Sequence, residues 1–447
     1  MTPIPTVRAR SIAPLPDSDG GIPLSLATAG DHLAVHHLLR NVFQAPSSRE
    51  FQTQQDEPTY EPRDRLLVKH RDRVVAHLRL IRREMRFGAC HLPITCIADL
   101  ATAPECRRRG YASALLTLAE QRMREEGSVL GVLRTRKINF YRRRGWAVCG
   151  RHSYSVAAPH GILSHLGGRE PTTRLPIRKT GPVAGALHIR YWRRVEQDGL
   201  TRLYSGDAGH TYGAFLRTDP GWQWIIGRQA YDQIYVAVEG SPRLDPCGSS
   251  SRIVGYAVVK AGRILELIAS PGRPEAAEAL LARVCGEAIE LDVCELRLDG
   301  PPGHRLHKTL RDSGGHYQGC AVDQGYATMV KVIDLPWLAS LLHAEFLARA
   351  EAVGMRLPLD LGFRVGGEGY LLRINSAHSR MVAGHTTRGF LQCRPEQLPQ
   401  LLLGHVDAVA AVSRGDLIAS SQQVVEQAGV LLPRLPFWYP AFDDLPA

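Results

Sequence analysis

The chain has 447 residues, 44% hydrophobic and 22% charged, and a formal charge of +11 from 55 Lys plus Arg against 44 Asp plus Glu. That length exceeds what one core holds and predicts about three domains, and the composition excludes a disordered or collagen-like chain. No run of about eighteen apolar residues predicts a membrane span, and the Pro-rich segment before Gly20 holds no apolar core of a secretory signal.

In chain order, the segment up to Gly20 reads as a loose extension, Ile22 to Thr28 as a strand, and Asp31 to Phe43 as a helix with Leu33, Val35, Leu38, Leu39 and Val42 on one face. Ala45 to Asp64 is polar and holds three prolines, which predicts a loop or broken helix. Leu66–Val68 and Val74–Ile81 flank a tight turn at Arg71-Asp72, and the apolar run Ile94 to Thr102 follows. A helix from Gly110 to about Glu126 carries Leu115, Leu116, Leu118, Ala119 and Met123 inward. Then come a strand at Val129–Leu133, a short helix near Ile138–Arg143 and a strand from Trp146, which completes an α/β unit. A weaker version of the same order recurs after Val156: strands at Gln233–Val238, Ile253–Val259 and Ile264–Ala269, a helix from Pro274 to Ala288, and a strand at Glu295–Leu298. Trp337 to Ala352 reads as a helix and Pro358 to Ile374 as two paired strands. Helices follow at Gln397–His405, Ala408–Ser413 and Gln422–Ala428, before a tail rich in proline and aromatics from Leu431.

Nine cysteines form no CxxC pair, and the odd count argues against a complete disulfide framework, so a reducing cytoplasm is the expected compartment. The cationic excess suits either nucleic acid or a polyphosphate cofactor, and the placement of the arginines decides between them. The densest cluster, Arg107-Arg108-Arg109-Gly110-Tyr111-Ala112, falls between a predicted strand and a predicted helix. Such a junction presents backbone N–H groups and the positive end of the helix dipole to an anion. Gly110 and the small Ala112 admit a pyrophosphate close to the backbone, and the arginines add charge-assisted contacts. Nucleic acid is therefore not expected as a partner. His304, His307 and His316 lack a Cys or carboxylate to complete a metal set and read as ordinary histidines.

The spacing Arg-x-x-Gly-x-Ala closely resembles the pyrophosphate loop of the GCN5-related N-acetyltransferase (GNAT) superfamily. Asp99 to Glu105 before it resembles that superfamily's strand and turn, and Asn139 to Trp146 after it resembles the helix-to-strand element. The resemblance implies acetyl-CoA as cosubstrate, no metal, and direct attack of an amine on the thioester. Arg107, Arg108, Arg109, Gly110, Tyr111 and Ala112 would hold the pyrophosphate, and the backbone of Leu100, Ala101 and Thr102 the pantetheine. Tyr141 stands where the superfamily often places its general acid. Asp99 is the candidate general base, with ordered water as the alternative. A protein that kept only the donor site would be a non-catalytic acyl-CoA sensor.

Over most of its length the chain resembles the Eis (enhanced intracellular survival) family. The resemblance rests on Val132 to Lys137, on Asp219 to Trp222 with Gln233 to Val236, and on Met329 to Leu335 through Leu401 to Gly404 to the tail. It implies an α/β (α+β) chain of tandem GNAT-like domains with mixed central sheets, followed by a C-terminal sterol-carrier-protein-like domain. The expected segments are an extension at 1–20, a catalytic domain at 21–156, a degenerate second domain at 157–328 and the third domain at 329–447. In the second unit the loop position reads Pro271-Gly272-Arg273-Pro274-Glu275, where Glu275 repels phosphate and Pro274 removes an N–H, so one donor site per chain is expected. The resemblance further implies a homo-oligomer, commonly a hexamer, and a cationic acceptor such as an aminoglycoside, a polyamine or a lysine-like amine of a small molecule or peptide. Glu50, Phe51, Asp56, Glu57 and Tyr60 are the residues expected to line its pocket. Eis-like chains end on an aromatic residue whose carboxylate can act as base. Here Pro446-Ala447 follows Asp443 and Asp444, and these two aspartates become the alternatives.

Overall fold

The computed structural model describes residues 22–71, 73–168, 187–208, 211–240, 251–385 and 388–443. The extension at 1–20, and the tail residues Asp444 and Ala447, lie outside them. In the first half of the chain, β1 (Leu24–Leu26), α1 (His32–Phe43) and α2 (Ser48–Gln55) lead into β2 (Arg65–His70), β3 (Arg73–Phe87) and β4 (Cys90–Thr102). Then come α3 (Tyr111–Glu125), β5 (Leu130–Thr135), α4 (Ile138–Arg142), β6 (Ala147–Val148), β7 (His152–Ala157) and α5 (Pro159–Gly167). The second half runs β8 (Leu187–Tyr191), α6 (Gln197–Ala208), β9 (Tyr212–Phe215), α7 (Asp219–Gly227), β10 (Gln233–Gly240), β11 (Ser251–Lys260) and β12 (Arg263–Ala269). It continues with α8 (Glu275–Glu290), β13 (Leu296–Asp299), α9 (Arg305–Asp312), β14 (His316–Cys320), β15 (Val322–Asp323) and β16 (Tyr326–Val332).

Two sheets share one plan. The first is ordered β1-β2-β3-β4-β5-β16-β15, and the second β8-β10-β11-β12-β13-β7-β14. In each, one parallel pair, β4 with β5 and β12 with β13, is joined by a crossover helix, α3 or α8, as parallel strands require. The repeat suggested by the sequence is thus a repeat of topology. The sixth strand of each sheet is exchanged: β7 pairs with β13 in the second sheet, and β16 pairs with β5 in the first. Segment edges expected at 156/157 and 328/329 therefore cut through β7 and β16, which periodicity alone gave no reason to assign across the chain.

The stretch expected as a loop or broken helix between Ala45 and Asp64 contains the short helix α2. Ser47 and Glu50 close a capping box at its start, with Glu50 N donating to Ser47 Oγ at 3.2 Å and Ser47 N to Glu50 Oε2 at 2.8 Å. Phe51 and Gln54 supply its buried face. The helix expected over Trp337–Ala352 is two, Leu335–Leu341 and His343–Ala352, and a five-stranded sheet follows between Leu359 and Ala419. The core of this third unit is continuous with the face of the first sheet opposite α3, through Ile81, Ile94, Cys96, Val132 and Val330. Among the described residues no helix is long and apolar enough to cross a membrane, and the eight described cysteines are free thiols.

The chain's last described stretch binds the units together. Trp438 N donates to Tyr212 O at 2.9 Å, and Arg151 and Tyr212 bridge to Trp438 and Phe437. Gly213 has φ 113°, and a Cβ there would lie 2.3 Å from the Trp438 carbonyl oxygen, so this approach needs glycine. Phe437 is 1% exposed and packs edge-on to Tyr439 and tilted against Phe87. Phe437→Ala should cost about 3–5 kcal/mol of stability, read from urea unfolding of the full chain; a loss under 1 kcal/mol would show that the arm does not hold the core.

Several histidines are buried and neutral. Burial pushes His405 down to about 4, helped by Arg151 and Arg434, and burial with His307 does the same to His304. His77 is held well below 6.5 by burial and Arg65. Between the folded and unfolded pKa values the unfolded chain binds more protons. Their contribution is therefore complete above the ordinary value of 6.5 and is lost as pH falls toward about 4. Thermal midpoints across that window should fall on acidification; a midpoint that rises would contradict the assignment.

Candidate active site

The parallel pairing of β4 with β5 runs from Ile94–Leu130 to Ile97–Leu133 and then stops. Beyond Ile97 β4 continues against β3 with a bulge: Ala98 pairs with Arg79 and Ala101 with His77, leaving Asp99 and Leu100 opposite a single residue. Asp99 takes the left-handed conformation, φ 55°. His77 Nδ1 donates to the Asp99 carbonyl at 2.9 Å, and Arg65 Nη1 donates to His77 Nε2 at 3.2 Å, which fixes a neutral tautomer. Arg65 is fully buried, with Gln54 Oε1 at 2.9 Å and Tyr60 Oη at 3.0 Å as its other acceptors.

Where the strands part, a cavity of about 930 Å³ opens. Its walls come from both faces of the sheet. Ile97, Leu133, Phe140 and Tyr141 belong to the core under α3 or pack against it, and Ile81, Cys96, Val132 and Phe215 belong to the opposite core. It therefore passes through the gap rather than lying on one side of the sheet.

Of the residues singled out in the sequence, Asp99, Leu100, Thr102, Arg107, Ala112 and Tyr141 line this cavity. Ala101 is buried in a separate cluster with Val35 and Leu38. Arg108, Arg109 and Gly110 are exposed on the loop, and Tyr111 opens α3 half-buried. Arg108 and Gly110 have φ 62° and 83°, and Gly110 caps α3 with no side-chain hydrogen bond, so the helix's first N–H groups are left for a ligand. Arg107 Nε donates to Thr102 O at 3.4 Å, tying the loop to the strand. Of the neighbouring arginines, Arg142 and Arg143 are exposed, while Arg144 lies over the Phe140 ring at 3.9 Å.

Tyr141 is buried edge-on to Phe140 and Trp146, and burial pushes its phenol up to about 12 against the opposing Arg144. It stays a proton donor through the neutral range. Burial also raises the Asp99 carboxyl above its usual value, opposed by Arg79 and Arg65, and its Oδ2 has no hydrogen-bond partner among the described residues. A more basic carboxylate and a retained phenol proton suit general-base and general-acid work.

The residues expected to line an acceptor pocket do not reach this cavity. Glu50 caps α2, Asp56 Oδ1 accepts from Gln52 at 3.1 Å, and Glu57 pairs with Arg79 at 2.6 Å and with Arg83. Phe51 and Tyr60 enclose Arg65 at 4.6 and 5.4 Å from its guanidinium carbon. Asp443 lines the cavity, but both its oxygens accept from Arg217, at 2.9 and 2.8 Å. Lining residues that the sequence did not single out as site residues include Arg151, Arg263, Arg297, Tyr326 and Trp438 to Ala441. They come from the residue before β7, the second sheet, β16 and the tail, and no local pattern links them.

In the second sheet the corresponding junction between β12 and α8 is built differently. Pro274 stands at the cap of α8, Glu275 and Glu278 occupy its first turn, and Arg273 is taken by Glu239 and Glu275.

Residues 24–149 match the family model for an acetyltransferase (GNAT) domain. No curated protein matches the sequence. Among solved structures, a GCN5-related N-acetyltransferase from Kribbella flavida is 17% identical with TM-score 0.67, over 94% of this chain and 97% of that one. One from Anabaena variabilis is 14% identical with TM-score 0.70, over 94% and 99%. Eis1 from Mycobacterium abscessus is 16% identical with TM-score 0.60, over 93% and 98%. At such identities the likeness is one of fold, and it spans nearly both whole chains. The chain thus carries a GNAT acetyltransferase domain at residues 24–149, set in a fold that it shares with these three structures over almost its whole length.

Proposed function

We propose that the protein transfers acetyl from acetyl-CoA to a primary amine, with one active site per chain in the β4–β5 gap. The observation that carries this is the cavity that passes through that gap, with Arg107 and Ala112 of the α3 loop in its wall and both Asp99 and Tyr141 facing it. The pyrophosphate would lie on the loop from Arg107 to Ala112 and the helix N-terminus, and the pantetheine along the unpaired edge from Leu100 to Thr102. The amine nitrogen attacks the thioester carbonyl carbon as Asp99 takes its proton. The carbon–sulfur bond then breaks, and the Tyr141 hydroxyl gives its proton to the departing thiolate. The Eis resemblance extends the proposal to a third, sterol-carrier-protein-like domain and to a homo-oligomer, a hexamer, which sedimentation of the purified chain tests.

Calorimetric titration with acetyl-CoA should give one site per chain, and Arg107→Ala should weaken it about ten-fold through loss of a charge-assisted contact. Thiol release in the presence of amines should fall about 100-fold or more in Tyr141→Phe while acetyl-CoA affinity holds. Binding without turnover on any amine would instead make the protein a sensor, and absence of binding would remove the proposal.

A further inference from the structure

Side chains alternate between the two faces of a strand. On β5, Leu133 belongs to the core under α3 and Val132 to the opposite core, so Arg134 faces away from α3 with Val132, and Arg136, one residue past the strand's end, joins it over the Tyr326 ring. On the paired strand β16, Thr328 stands opposite Arg134, and Tyr326 two residues on lies under the guanidinium carbons of Arg134 and Arg136, at 4.9 and 4.2 Å. The cavity wall on this face continues to Arg151 and to Arg263 and Arg297 of the second sheet.

Carboxylates on the wall are fewer than cations. Asp299 accepts from Arg263 at 2.9 Å and from Arg297 at 2.8 Å, and Asp443 is taken up by Arg217. Among the described residues no carboxylate pairs with Arg136 or Arg151, and the charged group that bears on Arg151 is another cation, Arg434. The donor's pyrophosphate has its own place at the α3 N-terminus, on the other face. What meets the basic wall is therefore the molecule that enters from the side away from α3.

Resting on the acetyl-transfer reading above, we propose that the acceptor is an amine that also carries an anionic group, a carboxylate or phosphate, held by Arg136 and Arg151 while its amine points into the β4–β5 gap. This reverses the cationic acceptor that the family resemblance implied. A polyamine would bring like charge to these arginines, and the acidic residues expected to receive it are committed around α2 and β3. A planar guanidinium reads either anion through paired hydrogen bonds, so one site serves both chemistries.

The test is calorimetric titration of the full chain, saturated with CoA, with four probes: glutamate and glucosamine 6-phosphate against spermidine and kanamycin. The two anionic amines should bind at least ten-fold more tightly than the cations, and the stronger of the two identifies carboxylate or phosphate as the group read. Arg136→Gln with Arg151→Gln should weaken that probe at least ten-fold and leave acetyl-CoA affinity as it was, while Arg151→Lys, which keeps the charge but loses the paired hydrogen bonds, recovers only part of the binding. Tighter binding of spermidine or kanamycin overturns the proposal, as does binding of none of the four. A double variant that weakens acetyl-CoA and spares the anionic amine also overturns it, by giving the wall to the donor's phosphates. If the unaltered chain binds no acetyl-CoA, the transferase reading fails by a separate measurement, and the ranking of the four probes is still obtained.

Discussion

The site depends on one event in the first sheet, the parting of β4 from β5 after Ile97 and Leu133. Parallel strands held together to their ends would leave no path between the two faces. The bulge at Asp99, fixed by His77 on its carbonyl and by a left-handed backbone, turns β4 away while it stays paired to β3. Backbone groups on the abandoned edge need partners, because an unpaired buried amide costs about 1–3 kcal/mol. In the proposed reading the pantetheine arm would satisfy them, next to an α3 N-terminus that favours a ligand ending in phosphate.

The second sheet carries the same topology to a different end. Its parallel pair also parts early, after Ile264 and Leu298. On the face away from α8, however, Glu266 accepts from Arg217 and from the Tyr256 hydroxyl, and Arg217 reaches on to Asp443 of the tail. The buried guanidinium lies over Tyr204 and Trp222 at 3.8 and 4.6 Å and is held well above its usual pKa by the two carboxylates despite burial. Removing one member of such a triad leaves an uncompensated buried charge, a loss of about 3–5 kcal/mol. The face that is open cavity in the first sheet is a closed polar core in the second, and its closure anchors the tail that lines the first.

The exchange of β7 and β16 makes this coupling obligatory. Neither sheet is complete from its own stretch of chain, so the two fold as partners, and the tail adds the third unit through Phe437 and Trp438. The cavity is composite for the same reason. One side of it is made within residues 99 to 141, whereas its far wall is assembled from segments hundreds of residues apart, and Arg151, Arg263 and Arg297 come together there.

The sequence by itself determined the segment that carries the proposed donor site. Phosphate binding at a helix N-terminus needs a short contiguous segment, and Arg107 to Ala112, with Asp99 before and Tyr141 after, is readable because strand, loop and helix are neighbours in the chain. The α/β repeat was legible for the same local reason, since the periods of 2 and 3.6 mark strands and helices wherever they occur. Helix α2 was legible only as one of two alternatives, because its composition is polar and its capping box and the burial of Phe51 and Gln54 make it a helix. Tertiary structure alone decided which strands complete which sheet, that Glu57 is spent on arginines, and that the far wall is basic. Each of these depends on contacts between distant segments, and hydrophobic periodicity carries no record of which strand edge or which charge a distant segment will meet.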